Sequence, residues 1–306
     1  MAFENSISLI WKKFRTERES QLRELSRTFY TLLHSPLSMI GLILVTLFLG
    51  VALIGPWMIT YPEDIKGAVH IDQKLKPPSR SHPFGTDEVG RDIYSRVIMG
   101  TRLSLQIGLI IIFVAMGIGV PLGIIAGYSG GWINQVIMRV TDIFLSVPGL
   151  LLALAIVGAL GPGIKNAMIA LSIVWWPGYV RLVQAKTLAL KEESFIEAAR
   201  SIGASKLRII FNHILPNCTS PIIVKASMDM GMAILFAANL GFIGVGAQPP
   251  MPEWGAMIST GRNYLPDFWW MATFPGLAIL ITVLGFNLLG DGLRDILDPQ
   301  SRGQIR

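Results

Sequence analysis

LSLQIGLIIIFVAMGIGVPLGIIAGY (residues 103–128) holds no charged side chain over its whole length. Crossing about 30 Å of hydrocarbon at 1.5 Å per residue takes roughly 20 apolar residues, so this run is long enough to span a bilayer as a helix. It is not alone. Ser35 to Pro62, Leu103 to Met138, Ile143 to Ile164, Met230 to Pro252 and Phe268 to Gly290 are each uncharged. The chain of 306 residues is 52% hydrophobic and 15% charged, too apolar for an ordinary soluble domain. The pattern predicts an all-α membrane protein with six transmembrane helices, over about 37–59, 103–128, 141–160, 166–184, 219–243 and 271–290. The fourth is the shortest, because Asn166 to Val180 is bounded by Lys165 and Arg181, which must snorkel outward. The fifth begins near Pro221 and carries Lys225 and Asp229.

Charge placement sets the orientation. The net charge is +6, which alone could suggest nucleic acid. With the start inside and six crossings, sixteen Lys and Arg fall on inner segments and nine on outer ones. That bias predicts both termini in the cytoplasm and argues for lipid, not nucleic acid, as the partner of the basic face. The single cysteine, Cys218, excludes a disulfide within the chain and a cysteine-clustered zinc site. Met1 to Leu33 is polar and lacks an early apolar core, so no cleavable signal peptide is expected.

Residues 1–34 are read as a cytoplasmic amphipathic segment, with Leu9, Ile10, Phe14, Leu22 and Leu25 among charges over Phe3 to Thr31. The transmembrane part is 35–306, with an outer loop over 61–102. Within that loop, a helix from Val89 puts Val89, Ile93, Tyr94, Val97 and Ile98 on one half and Arg91, Asp92, Ser95, Arg96 and Arg102 on the other. This predicts a surface helix lying flat. Pro148 near the inner end of the third span bends its axis. Trp254, Trp269 and Trp270 stand where an aromatic belt belongs.

The inner segment 185–216 is helical in pattern. Ser194-Phe195-Ile196-Glu197 reads as a capping box and Gly203 as a helix stop. A second helix starts at Ser205 and is expected to end at Pro216, giving a helical hairpin between the fourth and fifth spans.

Three blocks carry a resemblance. They are Gly85-Thr86-Asp87 through Gly90-Arg91-Asp92, Ser95-Arg96, Gly100 and Arg102-Leu103-Ser104-Leu105; Glu197-Ala198-Ala199 through Gly203 with His213-Ile214-Leu215-Pro216-Asn217; and Asn287 through Gly290-Asp291-Gly292-Leu293-Arg294-Asp295 to Asp298-Pro299. From about Ser35 onward the chain resembles the inner-membrane permease subunits of peptide-type ABC importers, the second permease of the dipeptide and oligopeptide pairs. The resemblance implies a type I ABC importer permease fold and import of dipeptides or oligopeptides. Relatives with these blocks handle nickel, glutathione or oligosaccharides. It also implies a heterodimer with a homologous permease, two ATP-binding subunits and an external solute-binding protein, in the cell membrane. No cofactor or metal is implied, and ATP hydrolysis belongs to the partners.

In that family the Glu-Ala-Ala block couples to the ATPases, here at Glu197, Ala198, Ala199 and Gly203. Small side chains on a short helix let it enter a cleft in another protein closely. The outer block reads as a docking support or, preferably, as a scaffold over the bundle's end. Lys225 and Asp229 stand four apart on one helical face, either lining a route or, the preferred reading, satisfying each other. Glu253-Trp254-Gly255 resembles a short family helix near the outer gate. Asp291, Arg294, Asp295 and Asp298 read as a solvated inner terminus.

Other classes fit less well. Gly127-Tyr128-Ser129-Gly130 superficially matches a membrane serine protease, yet the only histidine after residue 82 is His213, in the inner hairpin, so no dyad can form within the membrane. An aspartyl membrane protease lacks a second aspartate to face Asp291. No phosphate-cradling Gly-x4-Gly-Lys-Ser/Thr loop occurs. A stand-alone channel or secondary carrier would leave the inner hairpin without purpose.

Overall fold

The computed structural model describes residues 35–297. The amphipathic segment read over residues 1–34, and Asp298 and Pro299, lie outside the described residues. Among the described residues all regular structure is helical, apart from one isolated bridge between Thr86 and Asp92.

Helix α1 (Pro36–Met58) starts at a proline after the extended Ser35. At that position the missing N–H has no helical acceptor to lose. The short turn α2 (Pro62–Ile65) opens the outer loop, and α3 (Ile93–Ser129) then runs 37 residues without a break. The separate flat helix expected from Val89 is therefore not formed. Asp92 caps α3 by accepting from the Ser95 N–H at 2.7 Å, and no breaker separates that cap from the apolar run. Most of the polar half-face is buried under the outer loop: Asp92 and Ser95 are fully covered and Arg91 and Arg96 nearly so, while Arg102 stays exposed.

The third span is broken, not merely bent. Helices α4 (Gly131–Ser146) and α5 (Gly149–Leu160) meet at 90°. Pro148 denies its predecessor the helical region, and Val147 is accordingly extended at φ −95° and ψ 132°. Arg181 on α6 (Ile164–Lys191) reaches Asp142, and Gln184 reaches Asn134 at 3.1 Å, which holds α4 against α6.

Among the described residues, four helical runs are long and apolar enough to cross a membrane: α1, α3, Lys206–Ile243 and α11 (Trp270–Leu297). The α4–α5 pair makes a fifth if counted as one span. Helix α6 is not among them: its uncharged stretch, Asn166 to Val180, is short and is diluted by Asn166 and by Trp175-Trp176-Pro177-Gly178. Its shelter explains how so short a stretch is tolerated. Gly119, Gly123 and Gly127 form a stripe along α3, and a Cβ on them would fall 2.6 to 2.7 Å from Tyr179, Val183 and Thr187 of α6. Small residues every fourth position let two membrane helices approach backbone to backbone. Tyr179, Val180 and Val183 are fully buried as a result.

After α6 come α7 (Ser194–Ser201) and α8 (Lys206–Ile209). One π turn over Ile210–Ile214 feeds α8 straight into α9 (Leu215–Ile243). Pro216 does not end the helix as expected. The wider turn gives the Leu215 N–H to the carbonyl of Ile210, and the Asn217 side-chain amide donates to the His213 carbonyl at 2.6 Å. Both bonds carry the hydrogen-bonded helix past the proline. Between α9 and α11 in the chain, α10 (Trp254–Gly261) packs against both. Phe48 of α1 joins them, edge-on to Phe286 at 5.6 Å and to Trp254 at 6.4 Å.

Candidate functional site

The inner hairpin separates the four residues the sequence grouped together. The capping box is absent: Glu193 is the N-cap, Ser194 is already helical, and no side chain closes the first turn. The helix stop is present. Gly203 sits at φ +81°, its N–H bonded to the Arg200 carbonyl at 2.9 Å and that of Ala204 to Ala199 at 3.0 Å, a Schellman closure. A Cβ on Gly203 would meet nothing within 4 Å, so the glycine serves the backbone turn. Ala199 is buried against its own chain beside Ile196, whereas Glu197, Ala198 and Gly203 face out. Around them stand Ile202 at 86% exposure, Leu207 at 67% and Phe211 at 61%. In the sequence Leu207 and Phe211 read only as apolar positions at the helical spacing of the second inner helix, and Ile202 goes unremarked, although large apolar residues in a polar stretch are themselves the signal of a covered surface.

Lys225 and Asp229 are paired on α9, with Nζ to Oδ2 at 3.0 Å. The ammonium lies 5.2 Å from the ring centre of Tyr179 on α6. Both also line a cavity of about 1060 Å³ between α6, α9 and α11, together with Lys186, Asp291 and Arg294. The two side chains are thus each other's partners and also part of the cavity wall.

The outer block is a buried polar lattice. The Asp87 carboxylate accepts from the Arg91 guanidinium at 2.7 Å and from the N–H groups of Val89 and Arg91. Asp64 accepts the Asp92 N–H at 2.7 Å and faces His70 Nε2 at 2.8 Å. His82 bridges Asp92 and Gln73 through its two ring nitrogens, at 3.0 and 2.9 Å. Arg96 reaches across to the carbonyl of Pro250. Buried charges need such partners, and here they tie the loop to the start of α3. Glu63, Asp64 and His70 bring ligand-type atoms within 4.8 Å of one another, but Asp64 is already engaged on both oxygens.

Glu253 and Trp254 are core elements at the outer end. Glu253 is 3% exposed and caps α10, its carboxylate accepting from the N–H groups of Gly255 and Ala256 at 2.9 and 2.8 Å. Burial pushes its carboxyl up to about 7, against the pull of those two bonds. Trp254 donates to the Val97 carbonyl at 3.0 Å and is 1% exposed. The expected aromatic belt is thereby corrected: Trp254 and Trp270 are buried, with Trp270 donating to the Thr86 carbonyl, and only Trp269 remains half-exposed. Each indole N–H finds a carbonyl inside the outer lattice, which outweighs an interfacial position.

Residues 119–303 match the family described as binding-protein-dependent transport system inner membrane component. The chain belongs to that family. Residues 24–78 match the N-terminal transmembrane domain of oligopeptide transport permease C. Among curated relatives, the probable D,D-dipeptide transport system permease protein DdpC of Escherichia coli K12 is 47% identical over 88% of this chain and 90% of its own. The dipeptide transport system permease protein DppC of Alkalihalophilus pseudofirmus is 48% identical over 90% and 89%. The glutathione transport system permease protein GsiD of Pectobacterium atrosepticum is 49% identical over 78% and 79%. Among solved structures, an inward-facing MetNI methionine ABC transporter matches with a TM-score of 0.52 at 20% identity, over 63% of this chain and 92% of that one. This family member is thus a multi-pass inner-membrane permease component with the permease fold of an ABC importer.

Proposed function

We propose that this permease is one half of the translocation path of an ATP-driven importer of dipeptides or oligopeptides, crossing the membrane six times with both termini in the cytoplasm. Helix α6 and the broken pair α4–α5 supply the crossings beyond the four apolar runs. A homologous permease completes the path, two ATP-binding subunits dock beneath, and a solute-binding protein delivers cargo from outside. The observation that carries this reading is the exposed Ile202, Leu207 and Phe211 surface around Ala198, on a hairpin whose second limb continues directly into the path-lining α9. The relatives named for dipeptides support the cargo, and those named for glutathione, itself a small peptide, support the same chemical class.

ATP binding closes the two ATPases, the hairpin is drawn with them, and α6 and α9 rock between two discrete packings. Ala198→Asp and Ile202→Asp put a charge into the contact surface and leave the buried side of α7 untouched. Both variants should insert normally yet lose co-purification of the ATP-binding subunits and stimulation of their ATPase. Wild-type uptake by both would overturn the coupling role.

A further inference from the structure

We infer that the Lys225–Asp229 pair leaves its own stretch of the path wall without net charge and thereby limits the bias of this permease for cargo charge. The inference rests on the transport reading above. The two side chains stand one turn apart on α9 and look into the cavity of about 1060 Å³, with 29% and 14% of their surface exposed. The pair is held at the wall. The Lys225 stem lies against α6, where a Cβ on Gly178 would fall 3.2 Å from Lys225 Cε, and its ammonium sits over the Tyr179 ring.

An i, i+4 pair on one helix contributes little to holding that helix. Its effect on a passing charge is larger. Charges at an apolar wall act on one another more strongly than in water, so a lone ammonium or carboxylate would attract cargo of one sign and repel the other. Opposite charges 3.0 Å apart present a short dipole, whose field fades faster with distance than that of either charge. Peptides arrive with acidic, neutral and basic side chains, and a self-compensated wall passes all three. Lys186, Asp291 and Arg294 face the same cavity and stay constant in the comparison that follows.

The test uses the complete importer in vesicles, with its solute-binding protein saturated by an equimolar mixture of two tripeptides that differ only in a central Glu or Lys. The readout is the ratio of their ATP-dependent uptake, which does not depend on how much complex is present. Lys225→Met should shift the ratio about tenfold toward the cationic peptide and Asp229→Asn about tenfold toward the anionic one. The exchanged pair, Lys225→Asp with Asp229→Lys, should return it to within about twofold of wild type.

Unchanged ratios, shifts of the same sign, or a uniform loss of both peptides would overturn the inference in favour of a purely structural pair. Should single variants not assemble, wild type decides. Once corrected for loading of the solute-binding protein, its two uptake rates should agree within about threefold, the one net positive charge of Lys186, Asp291 and Arg294 being the bias left, and a larger difference contradicts a compensated pair. Absence of ATP-dependent uptake of any peptide by wild type would instead remove the transport reading itself.

Discussion

The Glu253 carboxyl is held between two N–H donors and the bare backbone of Gly241, where any Cβ would collide with its oxygen. Its value of about 7 in the folded protein exceeds the ordinary 4.5, so the folded state binds the proton more tightly than the unfolded one. That contribution to stability is complete below about pH 4.5 and is lost as pH rises through about 7. The melting temperature of the detergent-solubilised protein should therefore fall more steeply across this window in wild type than in Glu253→Gln. Equal slopes would show that Glu253 is ionised throughout. Gly255 offers a steric counterpart, since a Cβ there would overlap the Ala238 carbonyl. Gly255→Val should cost about 3 kcal/mol or prevent folding, read as loss of monodisperse protein in detergent. Glu253-Trp254-Gly255 stood out in the sequence as a motif, but its role did not. Nothing in a run of letters shows that Gly241 leaves a notch for the carboxylate or Gly100 one for the indole. The buried fate of Trp254 was hidden for the same reason.

Among the helices, those defined by their own composition were legible and those defined by neighbours were not. Runs such as Leu37 to Ile59 and Leu103 to Tyr128 are apolar through and through, so lipid alone dictates their state. Helix α6 is half-polar and takes its place from the glycine stripe of α3, a spacing present in the sequence at Gly119, Gly123 and Gly127. Gly123→Leu should drive α3 and α6 apart and cost about 3 kcal/mol, seen as a lower yield of folded protein and faster proteolysis. Proline misled in both directions. Pro148 breaks its span completely, while Pro216 is absorbed by a π turn that no simple periodicity reveals. At the end of α7 the helix stop was legible because one residue decides it. With φ at +81° and open space around it, Gly203→Asn should keep uptake close to wild type. Gly203→Val should strain the turn by about 1–2 kcal/mol and reduce ATPase stimulation. If both variants behave alike, the turn conformation is irrelevant to coupling.

For the molecule as a whole, the sidedness proposed above can be read chemically, because Cys218 is the sole thiol and is fully buried. In a Cys218→Ser background, Ser79→Cys should react with a membrane-impermeant maleimide added to intact cells. Ala198→Cys should react only after permeabilisation. Reaction of Ala198→Cys from outside would invert the topology and end the proposed assembly. The run from Lys206 to Ile243 is 38 residues of continuous helix, its π turn and Pro221 included, about 57 Å at the helical rise. In the proposed assembly a docking limb and a stretch of path wall are therefore one continuous helix, and a tilt imposed at its foot is passed along it toward its far end, beside the Glu253 cap. On that reading the permease has fewer independent moving parts than its number of helices suggests, and a substitution that introduces flexibility midway along that helix should idle the motor without touching either end.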